Sequence, residues 1–149
     1  MSTGIGPRQS KPRGFGLFTR IVYVHQAICF AFFVAGLRFF PARGIEQLVL
    51  PHLLGIAISI AVLAAMFGVA TRKSLRALSW LRVILWVGVI KIFVVQLWLL
   101  AKGDTALFSY VRGMLINELI AIPLAVYWSR PVHSSYLASF RGSSRSSAD

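Results

Sequence analysis

Acidic side chains are almost missing from this 149-residue chain: Glu46, Asp104, Glu118 and Asp149 stand against sixteen Lys and Arg, a net charge of +12. So few carboxylates, none paired in sequence, exclude a two-carboxylate acid–base site and a carboxylate cage for a hard cation. Cysteine is scarcer still, and Cys29 alone excludes an intrachain disulfide and a thiolate zinc centre. The three histidines form no metal-ligating cluster. His25 falls near the start of one apolar block and His52 near the start of the next, at opposite depths, which excludes paired axial ligation of a haem. Phosphate loops and nucleophile elbows are also missing. These gaps predict a protein that is not an enzyme and holds no metal or cofactor.

What is abundant is apolar sequence. Hydrophobic residues make up 57% of the chain and the mean hydropathy is +0.73, above the usual share of about 45–50% in soluble domains. They fall into blocks separated by short polar segments, the pattern of membrane-spanning helices. Four spans are predicted, at about 21–37, 46–70, 78–101 and 106–128, together forming a 21–128 transmembrane domain. A basic segment, 1–20, precedes them, and a basic, partly disordered tail, 129–149, follows. The three longer spans reach roughly 35 Å, enough for a hydrocarbon core of about 30 Å. The first is short for the purpose. Because the connecting loops are brief, successive helices should be antiparallel neighbours in an all-α up-down bundle.

Basic residues orient that bundle. Arg8, Lys11, Arg13, Arg20, Arg72, Lys73, Arg76, Arg130, Arg141 and Arg145 fall on one side, and Arg38, Arg43 and Lys102 on the other. The positive-inside rule then places both termini in the cytoplasm. The same distribution explains a pI near 11.4 without nucleic acid, since the cations flank apolar blocks where anionic lipid headgroups lie. Trp80, Trp98, Tyr110 and Trp128 fall near span ends and are expected as interfacial anchors. Trp86 lies deeper, one turn from Arg82, over which it could stack.

Small residues mark candidate packing ridges. Ala57, Ala61 and Ala65 recur every fourth residue in the second span, beside Gly55 and Ser59. Gly113, Asn117, Ala121 and Ala125 do so in the fourth. Such spacing lets helix backbones approach closely, within one chain or between chains.

Ionisable residues inside spans cost about 2.5–3.5 kcal/mol each on insertion scales, so each needs a partner or a purpose. By helical rise Lys91 and Glu118 lie roughly 15 and 18 Å below the same surface, level on neighbouring antiparallel helices. They are expected to form an intramembrane ion pair, structural or functional. Pro123, five residues beyond Glu118, removes a backbone donor and should bend the fourth helix. His52, Gln96 and Arg112 fall at similar depth nearer the outside and form a candidate outer polar layer; Arg82, near the inner end, is expected to snorkel.

In the stretch IPLAVYWSRPVHSSY, Ile122 and Pro123 lead into aromatics, followed by Ser129, Arg130, Val132, His133, Ser135 and Tyr136. It resembles the end of the fourth helix in an uncharacterised family of small four-helix bacterial inner-membrane proteins. Pro131 departs from that pattern, where a basic residue is usual, and the spacing from Pro123 to Tyr127 is longer. The resemblance implies a four-span topology and a bacterial inner membrane, and it transfers no activity. Read physically, the segment is an interfacial exit in which Pro131 ends the helix.

Short loops leave no extramembrane domain, so contacts should lie mostly within the bilayer. The expected function is an accessory or scaffold subunit bound to another membrane protein or to a second copy. The alternative is an oligomeric carrier or channel using Lys91 and Glu118. An immunity protein against a membrane-active toxin fits the same size and topology.

Overall fold

The structure, a computed structural model, describes residues 10–39, 46–103 and 115–145. All regular structure among the described residues is helical, in five helices: α1 Phe15–Phe39, α2 Glu46–Ala70, α3 Leu75–Lys102, α4 Leu115–Ser129 and α5 Pro131–Arg145. Three of them carry stretches long and apolar enough to cross a membrane: Phe15–Gly36, His52–Ala70 and Leu75–Lys102. The described part of the expected fourth span is the 15-residue α4. The remainder of that span, with Tyr110, Arg112 and Gly113, lies outside the described residues.

The helices are built as their sequences dictate. In α3, the Ser74 side chain accepts a hydrogen bond from the Ala77 N–H at its start, while Gly103, at φ 67°, closes its end by donating to Leu100 O. Ser74 satisfies a first-turn donor, and glycine takes the left-handed cap at no steric cost. Between α2 and α3 only residues 71–74 intervene, with Lys73 at φ 48° and its ammonium donating to Ala70 O at 2.5 Å.

Each helix buries one stripe. In α2 it is His52, Gly55, Ser59, Val62, Met66 and Val69, and in α3 it is Leu78, Leu81, Leu85, Val89 and Ile92, both at helical spacing. Leu124, Ala125 and Trp128 of α4 close the core with Phe15 and Val22 of α1. The opposite faces carry exposed Leu, Ile, Val and Phe, the surface a hydrocarbon solvent requires. α1 packs on α2, α2 on α3 and α3 on α4, with a lighter contact between α1 and α4.

The first helix differs from expectation: it starts at Phe15, six residues before Ile21. Polar Thr19 does not interrupt it because its hydroxyl bonds back to Phe15 O, at 2.7 Å. The tail also differs. α4 ends at Ser129, just before Pro131, as expected, but Pro131 also begins a further helix, since proline lacks only a donor that the first helical turn leaves unpaired anyway.

The alanine ridge is rotated from its expected role. Ala65 is buried, Ala61 half-buried and Ala57 exposed, while α2 meets its neighbours through the adjacent ridge. A β-carbon on Gly55 would come within 2.6 Å of the Phe33 ring, and one on Gly68 within 2.7 Å of Ala77 Cβ. In α4, Asn117 and Ala121 are half-buried and Ala125 is buried.

Candidate intramembrane site

Near the middle of α1 and α3 and in the first turn of α4, the helices bring together polar groups that hydrocarbon cannot solvate. Starting α1 at Phe15 places His25 about 15 Å into the helix, level with Asn117 of α4 and not near the surface. Its imidazole Nε2–H donates to Asn117 Oδ1 at 2.5 Å. Gln26 Nε2 donates to the other ring nitrogen, Nδ1, at 3.1 Å. The Cys29 thiol, one turn on, donates to the same Asn117 oxygen at 3.2 Å. This chain of donors fixes the neutral tautomer with its proton on Nε2.

Lys91 and Glu118 line the same small cavity as His25, Gln26, Cys29 and Asn117, with a volume of about 40 Å³. The sequence thus placed the two charges at one level, but they do not form the expected closed ion pair. Both Glu118 carboxylate oxygens are buried with no hydrogen-bond partner, and the residue is only 4% exposed. The Lys91 ammonium lies over the Phe33 ring, 4.6 Å from its centroid, a cation–π contact that competes for it. Gly55 is what admits that ring between α1 and α2. Pro123 sits inside a continuous α4 with its side chain exposed.

A second, apolar groove of about 360 Å³ adjoins this cavity, sharing His25, Cys29, Phe33, Ile92 and Asn117 with it. Val24, Ile28, Phe32 and Ile120 form its outer walls and are exposed on the lipid-facing side. The light contact between α1 and α4 leaves it open.

Of the expected outer polar layer, only His52 and Gln96 lie among the described residues. His52 is buried edge-on against Phe33, with ring centroids 5.8 Å apart, Gln96 keeps a buried amide nitrogen without a partner, and Arg112 lies outside the described residues. Among the expected anchors, Trp80 is exposed, and Trp98 is exposed beneath Lys102, whose ammonium is 4.3 Å from the ring centroid. Trp128 is fully buried and anchors nothing to lipid. It packs between Phe15, Tyr127 and His133.

Trp128 belongs to a clasp at the basic end. Arg82 does not snorkel: its Nε donates to Trp128 O at 2.9 Å, and its Nη2 to Arg130 O at 3.0 Å and Ser134 Oγ at 2.9 Å. The guanidinium fork thereby ties down carbonyls at the end of α4 that the helix itself leaves unpaired. Trp86 does not stack on Arg82; its indole N–H donates to Ser129 Oγ at 3.1 Å. Tyr127 stacks on Phe18 at 3.8 Å and donates its hydroxyl proton to Arg13 O at 2.9 Å. Lys11 and Lys73 lie over Phe15, 5.4 and 5.5 Å from its centroid; burial, then the Lys11 charge, hold the Lys73 amine below its ordinary pKa. The Ile122–Tyr136 stretch that resembles a family ending is thus the segment this clasp holds.

Among the described residues no three His, Cys, Asp or Glu side chains gather to hold a metal ion. Comparison with known protein families, curated proteins and solved structures found no match to this chain.

Proposed function

We propose that the chain is a four-span membrane protein with both termini in the cytoplasm, in the inner membrane of a bacterium, and that it works as a carrier or channel through the cluster of Lys91, Glu118, His25 and Asn117. One observation carries this reading: Glu118, in the first turn of α4, is buried with both oxygens unpartnered. A structural lock is stable only when its charges are closed on each other and their remaining hydrogen-bonding capacity is filled, because desolvation otherwise exceeds the attraction. An open pair beside a cavity suits a group that takes up and gives back a proton or an ion.

Isotope-edited infrared spectroscopy of the protein in bilayers tests it, with the Glu118→Gln variant identifying the signal. A protonated carboxyl band that appears and disappears reversibly with pH supports the proposal. A Glu118 that stays ionised throughout overturns it and restores the lock.

The accessory-subunit reading keeps one support of its own. Ala57 and Ala64 of α2 are exposed and Ala61 half-buried, so a ridge of small side chains stays free for another helix, from a different membrane protein or from a second copy. Cross-linking from Ala57→Cys in a Cys29→Ser background distinguishes the readings: a stoichiometric foreign partner favours the accessory role.

A further inference from the structure

The geometry points to a binding site for a single-chain amphiphile with an uncharged hydroxyl head, entering from the bilayer through the groove between α1 and α4; this rests on the reading of the polar cluster as the working site. The groove walls, Val24, Ile28, Phe32 and Ile120, are apolar and open on the face that meets hydrocarbon. What enters from that side must therefore carry a hydrocarbon chain. At about 360 Å³, the groove has room for part of one chain and not for a folded segment.

The groove shares His25, Cys29 and Asn117 with the cavity of about 40 Å³ that Lys91 and Glu118 line, and that cavity selects the head. His25, Gln26, Cys29 and Asn117 are engaged with one another, so the remaining capacity lies with Glu118, whose oxygens have no donor, and with Lys91, which lies over an aromatic face. A hydroxyl satisfies both, donating its proton to the carboxylate and accepting from the ammonium. A head with a net charge would leave one of the two opposed by like charge. A bare alkyl chain would leave both as they are, and a phospholipid brings a charged head and two chains.

The test uses vesicles containing the full-length protein and a long-chain alcohol carrying a photoactivatable diazirine, with insertion sites mapped by peptide mass spectrometry. Labelling should concentrate at Val24, Ile28 and Ile120, saturate, and be competed by hexadecanol but not by hexadecane. Ile28→Trp, a substitution on an exposed position that fills the mouth, should abolish the saturable component, while Leu97→Trp on the lipid face of α3 leaves it intact. Glu118→Gln should weaken hexadecanol competition about tenfold, the worth of one charge-assisted hydrogen bond. Labelling spread evenly over all lipid-facing helix surfaces, or competed equally by alkane, overturns the inference and means acyl chains of the bilayer fill the groove without selection. Saturable labelling with a Glu118 that never changes protonation keeps the inference and removes the carrier reading; the reverse result removes the inference alone.

Discussion

Two polar regions meet α4, one at its basic end and one at its first turn, and they are finished differently. At the basic end the Arg82 guanidinium makes three hydrogen bonds to residues 128–134, Trp86 and Tyr127 each find an acceptor, and aromatic rings fill the space between, with the Trp128 indole N–H and His133 Nδ1 buried without a partner. At the first turn, His25 and Asn117 are satisfied, whereas Glu118 has no donor and Lys91 turns to Phe33. A buried polar network stabilises when it is completed and costs stability when it is left open. What the basic end leaves open is neutral, and its charged group is fully engaged, so it holds the fold together; the Glu118 cluster leaves a carboxylate open and is maintained at the fold's expense, which is the mark of a site with another purpose.

The sharpest way to break this comparison is to remove each region's charge and compare signs. Arg82→Ala deprives two backbone carbonyls and Ser134 of their donor, and should destabilise the folded protein by about 3 kcal/mol in reversible denaturation from mixed micelles. Arg82→Lys should recover little, because an ammonium cannot reproduce the fork. Glu118→Leu, by contrast, removes a carboxylate that makes no hydrogen bond and should leave stability unchanged or raise it by about 1 kcal/mol. If Glu118→Leu cost as much as Arg82→Ala, the two regions would be alike and Glu118 would be a structural lock after all.

Much of this was legible in the sequence, and the failures share a cause. Apolar blocks located the end of α2 and, within three residues, both ends of α3, and helical rise put Lys91 and Glu118 on one level. Whether the charges close on each other depends on Phe33, an ordinary apolar residue of α1 admitted by Gly55, and nothing in either charged residue announces that competitor. The His25–Asn117 contact was missed because α1 was started at the first apolar run. The preceding turns contain Phe15 and Phe18, whose pairing with Trp128 and Tyr127 carries the helix outward. Trp128 was misread by the same logic: an aromatic at a span end faces lipid only if no further helix covers it. α5 does cover it, and its small polar residues look in sequence like a loose tail.

A smaller effect tests whether the clasp extends to the chain's first turns. Tyr127→Phe preserves the stacking on Phe18 and deletes the hydroxyl donor to Arg13 O, so stability should fall by about 1 kcal/mol. Amide exchange should rise in residues 13–18 and stay unchanged around His25. Faster exchange at both places would mean that the two regions unfold as one unit and that the contrast between them is not energetic.

The smallest effect expected concerns a flaw within the clasp itself. His133 is fully buried and donates from Nε2 to Tyr127 O at 3.0 Å, while its Nδ1 is buried without a partner. Burial pulls its pKa below the ordinary histidine value; the hydrogen bond to Tyr127 opposes that, and the Arg82 and Arg130 charges add to it. The imidazole is therefore neutral when docked. With α5 released, it takes a proton more readily, at an ordinary pKa of about 6.5. The stability this contributes is fully present above that value and is lost as the pH falls through it towards the lower, docked pKa, since the released form then binds more protons. Exchange protection in α5 should accordingly decline on mild acidification, and His133→Phe, which keeps the ring packing against Phe15 and Trp128, should flatten the decline. The Glu118 cluster supplies the control: if Glu118→Gln flattened it equally, the pH response would belong to the open site and the clasp would be indifferent to protons.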